Sequence, residues 1–173
     1  MRAFGQVFGF NDQKGMSEGI RGPVSIQSAF SVCPVMIDSM QITKSVNGAG
    51  KGKASDTMGM KHKVTSAMYV AKGSINHQLA QKTGFTDEDA EKIKEALRTL
   101  FVNDASAARP DGSMEVCKVY WWRHNCPMGQ YSSAKVHRSL KISANTELPK
   151  CFEDYSITVE ALDGLEPEVI EGV

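Results

Sequence analysis

Residues 41–64, QITKSVNGAGKGKASDTMGMKHKV, lie between two segments that alternate apolar and polar residues as strands do. The stretch carries several lysines against a single acid, Asp56; they are Lys44, Lys51, Lys53, Lys61 and Lys63. Glycines at positions 48, 50, 52 and 59 exclude a stable helix or a regular strand through its middle. Two interpretations stay open: an idle surface hairpin, or a flexible finger that closes on a polyanion such as nucleic acid.

The charge of the chain is segregated along its length. The 173 residues have a formal net charge of +0, so basic segments must be balanced by acidic ones. The acids concentrate in residues 147–173, where Lys150 is the only basic residue. This pattern predicts one surface that faces a polyanion, with an acidic region that meets a basic neighbour or remains a solvated tail. The length favours one domain, or one domain with a large insertion.

Several classes of protein are disfavoured by what the sequence lacks. No apolar run is long enough to span a bilayer and no signal peptide opens the chain, so we expect a cytoplasmic protein with no membrane partner. The four cysteines match no disulfide framework and form no Cys-x-x-Cys pair, so we expect reduced, mostly buried thiols and no structural zinc. No phosphate-loop, dinucleotide or nucleophile motif occurs, and we expect neither cofactor nor metal.

Hydrophobic periodicity gives the order of elements. The predictions are a helix at 2–10, a strand at 24–32 with a bend at Pro34, a strand at 64–73, a helix at 87–103 capped by Thr86, a strand at 114–122, and strands at 136–142 and 155–159. This order predicts an α+β fold and matches most of a β-α-β-β-α-β ferredoxin-like unit, the fold of RNA recognition motifs, with its first strand missing. Residues 41–64 are then a long insertion between strands two and three.

The side chains of the insertion are suited to binding more than to catalysis. Lysines and glycine amides reach phosphates without reading bases. Met58 and Met60 have little structural purpose in a loop, and could wedge between bases or against a neighbouring subunit. Gln41 and Thr43 could add hydrogen bonds to sugar or phosphate. A less favoured interpretation makes Asp56 the acid or base of a ribonuclease. Trp122 could stack on a base, but is more often packed at a strand end.

A set of short motifs in a fixed order carries a family resemblance. They are residues 2–5 (RAFG), 22–24 (GPV), 34–35 (PV), 41–46 (QITKSV), 56–62 (DTMGMKH), 73–76 (GSIN), 103–110 (NDASAARP), 119–122 (VYWW) and 131–138 (YSSAKVHR). Through these motifs the chain resembles the CRISPR-associated backbone protein of Cascade, in the Csd/Csh branch of the Cas-seven family and closest to subtype I-C. The motifs span nearly the whole chain.

The resemblance implies a guide-RNA-binding subunit. Its implied fold is a modified RNA-recognition fold over residues 1–173, a single partial domain with a thumb at 41–64 and an acidic C-terminal region at 147–173. Copies of such a protein polymerise along a CRISPR RNA, work with other Cascade subunits, and leave guide bases free to pair with target DNA. The implied RNA contacts are Gln41, Thr43, Lys44, Met58, Lys61, His62 and Lys63, with Arg109 as a weaker one. No catalytic residue is implied.

The family pattern has a substantial region before the motif at residues 2–5, and here Met1 directly precedes Arg2. That region contains the first strand and much of the RNA-contacting surface. An alternative function follows, in which a truncated chain serves as a structural or assembly module without independent RNA binding.

Overall fold

The described part of the chain is a mixture of short antiparallel strands and three α-helices, with one 3-10 turn at Phe152–Asp154. The computed structural model describes residues 1–9, 17–44 and 58–173. The elements in chain order are β1 (Gly5–Gly9), β2 (Ser17–Arg21), β3 (Val24–Ile26), β4 (Phe30–Ser31), β5 (Ile37–Thr43), β6 (Met58–Val64), β7 (Tyr69–Val70), β8 (Gly73–Ile75), α1 (His77–Thr83), α2 (Asp87–Arg98), β9 (Lys118–Trp122), α3 (Ser133–Ser139), β10 (Leu140–Ala144), β11 (Tyr155–Val159) and β12 (Pro167–Glu171). Within these ranges, no helix is long and apolar enough to cross a membrane.

The chain divides into two compact units. The first unit comprises Met1–Ser28, Ala71–Lys141 and Ile157–Val173, and the second comprises Ala29–Val70 and Ile142–Ser156. The α-helices α1, α2 and α3 lie in the first unit, and so do the buried apolar side chains of the described residues, Pro23, Val24, Val136 and Leu165. The single partial domain of the sequence analysis remains a prediction.

The predicted helix at 2–10 is wrong, because this segment forms a hairpin. β1 pairs antiparallel with β2, from Gly5 opposite Arg21 to Gly9 opposite Ser17. Gly5 has a φ of 82°, which removes it from helical backbone at the start of the segment. The apolar side chains of this segment stand at helical spacing, but Val7 is exposed and buries no helical stripe. Backbone pairing with β2, a partner that periodicity does not reveal, decides the structure.

The clearest predicted helix is confirmed at its start and ends earlier than expected. α2 begins after Thr86, whose hydroxyl oxygen accepts a hydrogen bond from the Asp89 backbone amide at 3.2 Å. The helix ends at Arg98 instead of residue 103, and Asn103 adopts a φ of 58° in the loop that follows. α2 packs against β9, where the Lys94 Nζ lies 5.8 Å from the centre of the Trp121 ring. The helix α1, which periodicity missed, is capped by Asn76 and ends at Gly84.

In the C-terminal half, two predicted strands are partly correct and one is confirmed. The strand predicted at 136–142 is wrong over 136–139, which belong to α3 because Ser132 caps a helical turn and Val136 and Ser139 are buried, and it is correct over 140–142, which belong to β10. The predicted strand at 114–122 begins only at Lys118. The predicted strand at 155–159 is confirmed as β11. The unpredicted β12 pairs antiparallel with β9, so the acidic region 147–173 contributes ordered structure.

Three strand pairs are nested around residues 45–57, which lie outside the described residues. β3 pairs with β8, β4 with β7, and β5 with β6, all antiparallel. In each interval between two of these pairs, the segment before residues 45–57 has one more residue than the segment after them. Residues 27–29 lie opposite 71–72, and residues 32–36, which include Pro34, lie opposite 65–68. Such extra residues bend an antiparallel ribbon. The predicted strands at 24–32 and 64–73 are therefore interrupted where the sequence suggested continuous ones, and Pro34, where a bulge or a bend was predicted, lies in the interruption between β4 and β5.

The strands pair two by two. Within the described residues every sheet has two strands, in the pairs β1–β2, β3–β8, β4–β7, β5–β6, β9–β12 and β10–β11. A mixed α/β fold is thus established. The RNA-recognition-like arrangement and its missing first strand remain predictions.

Candidate nucleic-acid interface

The β5–β6 ribbon holds six of the predicted RNA-contact residues, and a seventh, Lys44, directly follows β5. Residues 41–64 are therefore not a loop throughout, because both ends are strands in register from Ile37 opposite Val64 to Thr43 opposite Met58. The seven residues are all exposed. The middle of the insertion, with Lys51, Lys53 and Asp56, lies outside the described residues.

The register divides the ribbon into two faces. Residues that are paired across an antiparallel ladder point to the same side, and neighbours along a strand point to opposite sides. The methionine face consists of Ile37, Ser39, Gln41, Thr43, Met58, Met60, His62 and Val64. The lysine face consists of Asp38, Met40, Ile42, Gly59, Lys61 and Lys63. The predicted contact residues are therefore brought together in one element, but not onto one surface.

The methionine face has two side-chain contacts between its strands. The Gln41 amide nitrogen lies 2.8 Å from the Met58 sulfur. The Ser39 hydroxyl lies 2.8 Å from the Nδ1 of its cross-strand partner His62. This contact orients the imidazole and leaves its Nε2 for another partner. Ser39 escaped the sequence analysis because only the register places it opposite His62.

The lysine face carries one acid among its cations. The Asp38 carboxylate lies 3.3 Å from the Lys63 ammonium, and the two side chains are 46% and 50% exposed. Asp38 also escaped the sequence analysis, because it precedes the basic stretch and nothing in the sequence set its position opposite Lys63. The face therefore presents Lys61 and Lys63, and Lys63 has an anionic partner in Asp38.

The ribbon exposes apolar side chains as well. Met58 is 63% exposed and Met60 57%, and Ile37, Met40, Ile42 and Val64 are exposed too. An isolated two-stranded ribbon is marginally stable in water, and exposed apolar groups on a defined surface mark an interaction site. Both faces of the ribbon thus have the composition of a binding surface.

Arg109 belongs to the first unit, apart from the ribbon residues of the second. Its guanidinium donates to Asp104 at 2.8 Å, and its backbone amide donates to the Ser106 hydroxyl at 3.0 Å. The Ser106 amide donates in return to the Arg109 carbonyl at 2.7 Å, which closes the loop. The Nε of Arg109 is buried and has no hydrogen-bond partner in the described residues. This side chain helps to organise its own loop, and a contact with RNA remains a prediction.

The acidic C-terminal region makes ion pairs within the chain. Glu168 binds Lys94 at 2.8 Å and Glu171 binds Lys118 at 2.8 Å, while Glu160 pairs with Lys141. The hydrogen bonds that Lys94 and Lys118 donate to Glu168 and Glu171, respectively, raise the pKa of both lysines. The acidic region is therefore not a free solvated tail, since Glu168 and Glu171 lie on the paired strand β12 and form ion pairs with α2 and β9.

The histidines and the tryptophan that the sequence offered as further candidates contact other groups of the chain. His137 Nε2 lies 3.0 Å from the Gly73 carbonyl, and His124 Nδ1 accepts from the Gln130 amide at 3.0 Å. Trp122 stacks on Tyr120 with ring centres 6.1 Å apart. Among the described residues no group of three potential metal ligands comes together. The four cysteines are free thiols, but the expectation that they are mostly buried is wrong, because Cys33 and Cys117 are half-buried and Cys126 and Cys151 are exposed.

A comparison with protein families identifies a match that covers most of the chain. A family model described as CRISPR-associated protein Cas7 matches residues 1–160. No curated protein matches the chain. The matched region includes both strands of the β5–β6 ribbon, the loop of Arg109 and all three helices. Because the model covers well over half of the sequence, the chain belongs to the Cas7 family of CRISPR-associated proteins.

Proposed function

We propose that this chain is a non-catalytic backbone subunit of a type I-C Cascade that binds guide RNA and polymerises along it. Membership in the Cas7 family supports the coarser part, a CRISPR-associated backbone subunit that binds CRISPR RNA together with other subunits of the effector complex. The subtype, the polymerisation and the indirect contact with target DNA through guide pairing rest on the motif resemblance. The RNA-recognition-like fold of the proposed subunit rests on the same resemblance.

The observation that carries the proposal is the lysine face of the β5–β6 ribbon. Lys61 and Lys63 stand two residues apart on β6 and therefore on one side of an exposed two-stranded ribbon, and Lys44 follows at the end of β5. Successive phosphates of a single strand are spaced so that such a row of ammonium groups can contact them without reading bases. The neutral donors and exposed methionines of the other face suit sugar and base contacts.

The test is the salt dependence of RNA binding. The variant with Lys44, Lys61 and Lys63 all changed to Ala should bind a labelled single-stranded RNA more weakly than the parent. The slope of log K against log salt concentration should become shallower by up to about 2, because each phosphate contact to a single strand contributes about 0.7. A titration by fluorescence anisotropy at several salt concentrations measures both quantities.

The matched control removes one lysine from each helix of the first unit: Lys82, Lys92 and Lys135 to Ala. Its net charge equals that of the ribbon variant, so a general effect of charge would appear in both. An unchanged slope in the ribbon variant, or an equal loss in the control, contradicts the assignment of the ribbon as the RNA-binding element.

The ribonuclease alternative depends on Asp56, which lies outside the described residues, and nothing within the described residues favours it. The assembly-module alternative predicts no RNA binding by the chain alone, and the same titration would reveal that result.

A further inference from the structure

We propose that Asp38 competes with RNA phosphate for Lys63 and so sets the affinity of the lysine face. This inference rests on the proposed function, since it requires that RNA contacts this face. Asp38 lies outside the basic stretch and has no role in the motif resemblance. Its place follows from the register alone, which puts it directly opposite Lys63.

The geometry fits a competitor better than a structural anchor. The Asp38 and Lys63 side chains approach to 3.3 Å and both are about half exposed. A solvent-exposed ion pair of this kind adds little to stability, because water and salt screen it. Lys94 differs from Lys63 in exposure and in the number of its anionic partners. Its side chain is 13% exposed and contacts both Glu91 and Glu168, where α2 lies beside β12. The Asp38–Lys63 pair is therefore free to exchange one anionic partner for another.

The Asp38–Lys63 ion pair lowers the affinity for RNA because a phosphate can reach Lys63 only by disturbing this pair. A phosphate that binds Lys63 has to displace the Asp38 carboxylate or share the ammonium with it. In either case the carboxylate stays on the same face, beside Lys61, and repels the incoming backbone. While the carboxylate occupies Lys63, fewer counterions are released when RNA binds, so both the affinity and its salt dependence are reduced.

The test uses Asp38→Asn, which keeps the shape of the side chain and removes its charge. Binding of a labelled single-stranded RNA should become two- to fivefold tighter at low salt, about the size of one exposed ion pair. The salt slope should become steeper by up to about 0.7, the contribution of one phosphate. Asp38→Glu, which keeps the charge, should bind like the parent.

Two controls separate this effect from a general gain of positive charge. Glu88→Gln removes a carboxylate that is paired with Lys92 at 2.7 Å on the surface of α2, and it should leave RNA binding unchanged. In a background that carries Lys63→Ala, Asp38→Asn should give a gain smaller than in the parent, because the competed ammonium is absent.

The outcomes distinguish this inference from the function on which it rests. If the triple lysine variant loses affinity but Asp38→Asn binds no tighter than the parent, the competitor role is overturned and the ribbon remains the RNA contact. A gain of equal size with and without Lys63 also overturns it. If the triple lysine variant binds like the parent, the proposed function fails, and the competitor role fails with it.

Discussion

Single lysines of this chain have two kinds of surroundings. Lys94 and Lys118 are held by glutamates of β12 and serve the packing of the first unit. Lys63 is half exposed on a ribbon and shares a face with Lys61, against the single carboxylate of Asp38. The residue type is the same, yet only the second kind can exchange its partner for a phosphate at little cost. The surroundings, more than the count of lysines, identify the candidate RNA contacts.

Thr86 makes a prediction at the residue scale. Its hydroxyl accepts from the Asp89 amide, and its own amide donates to the Asp89 carboxylate at 3.1 Å. The change Thr86→Ala should cost about 1 kcal/mol, because the first turn of α2 loses the hydroxyl that accepts its amide hydrogen bond. The melting temperature should fall by about 2–4 °C, with Thr86→Ser as the control that keeps the oxygen. A melting temperature equal to that of the parent would mean that α2 forms without its cap.

Acid should weaken the same cap. The bond from the Thr86 amide holds the pKa of Asp89 below its ordinary value. A carboxyl whose pKa is lowered in the folded state stabilises it above the unfolded pKa, and that contribution is lost as the pH falls through the folded pKa.

At the scale of elements, the sequence predicted those whose signals are local. The N-terminus of α2 was correct because its cap and its three first-turn acids lie within four residues. The strand β11 was correct because it alternates cleanly. The hairpin β1–β2 was missed because its evidence is a pairing between strands, which periodicity cannot report. The sequence did not indicate α3, because Val136 is the one buried apolar residue among its seven. A single apolar position has no periodicity that distinguishes a helix from a strand.

The residues of the candidate site also fall into those that the sequence indicates and those that only the strand register reveals. The basic stretch and its methionines were visible in the sequence, as were Gln41, Thr43 and His62. Asp38 and Ser39 were not visible, because their importance comes only from the residues that the register places opposite them. The division of the predicted contacts between two faces was hidden for the same reason.

Two glycines give a matched prediction at the element scale. A Cβ on Gly22, between β2 and β3, would lie 2.2 Å from the Ala3 carbonyl oxygen and 2.4 Å from the Gly5 nitrogen. Gly22→Ala should therefore force the hairpin β1–β2 to shift, at a cost of about 1–3 kcal/mol. A Cβ on Gly59 would lie 3.6 Å from the Ile42 Cγ1, an ordinary contact, so Gly59→Ala should leave stability unchanged or slightly raised. Urea unfolding measures both, and equal effects at the two positions would contradict this packing.

At the scale of the whole molecule, little apolar surface is buried. Among the described residues the buried apolar side chains are Pro23, Val24, Val136 and Leu165, while both faces of the β5–β6 ribbon expose methionine and isoleucine. A ligand that binds the folded chain adds its own binding free energy to such limited stability. The composition suits a subunit that is completed by RNA and by neighbouring proteins in an assembly.

The most direct measurement maps where RNA touches the chain. The protein is cross-linked to a single-stranded RNA by ultraviolet light, digested, and analysed by mass spectrometry for peptides that carry a nucleotide. Adducts are expected on the two strands of the β5–β6 ribbon, at Gln41–Lys44 and Met58–Val64, and they should diminish when Lys44, Lys61 and Lys63 are changed to Ala. Adducts confined to the first unit, such as the loop of Arg109, with none on the ribbon would contradict the proposal that the ribbon binds the guide.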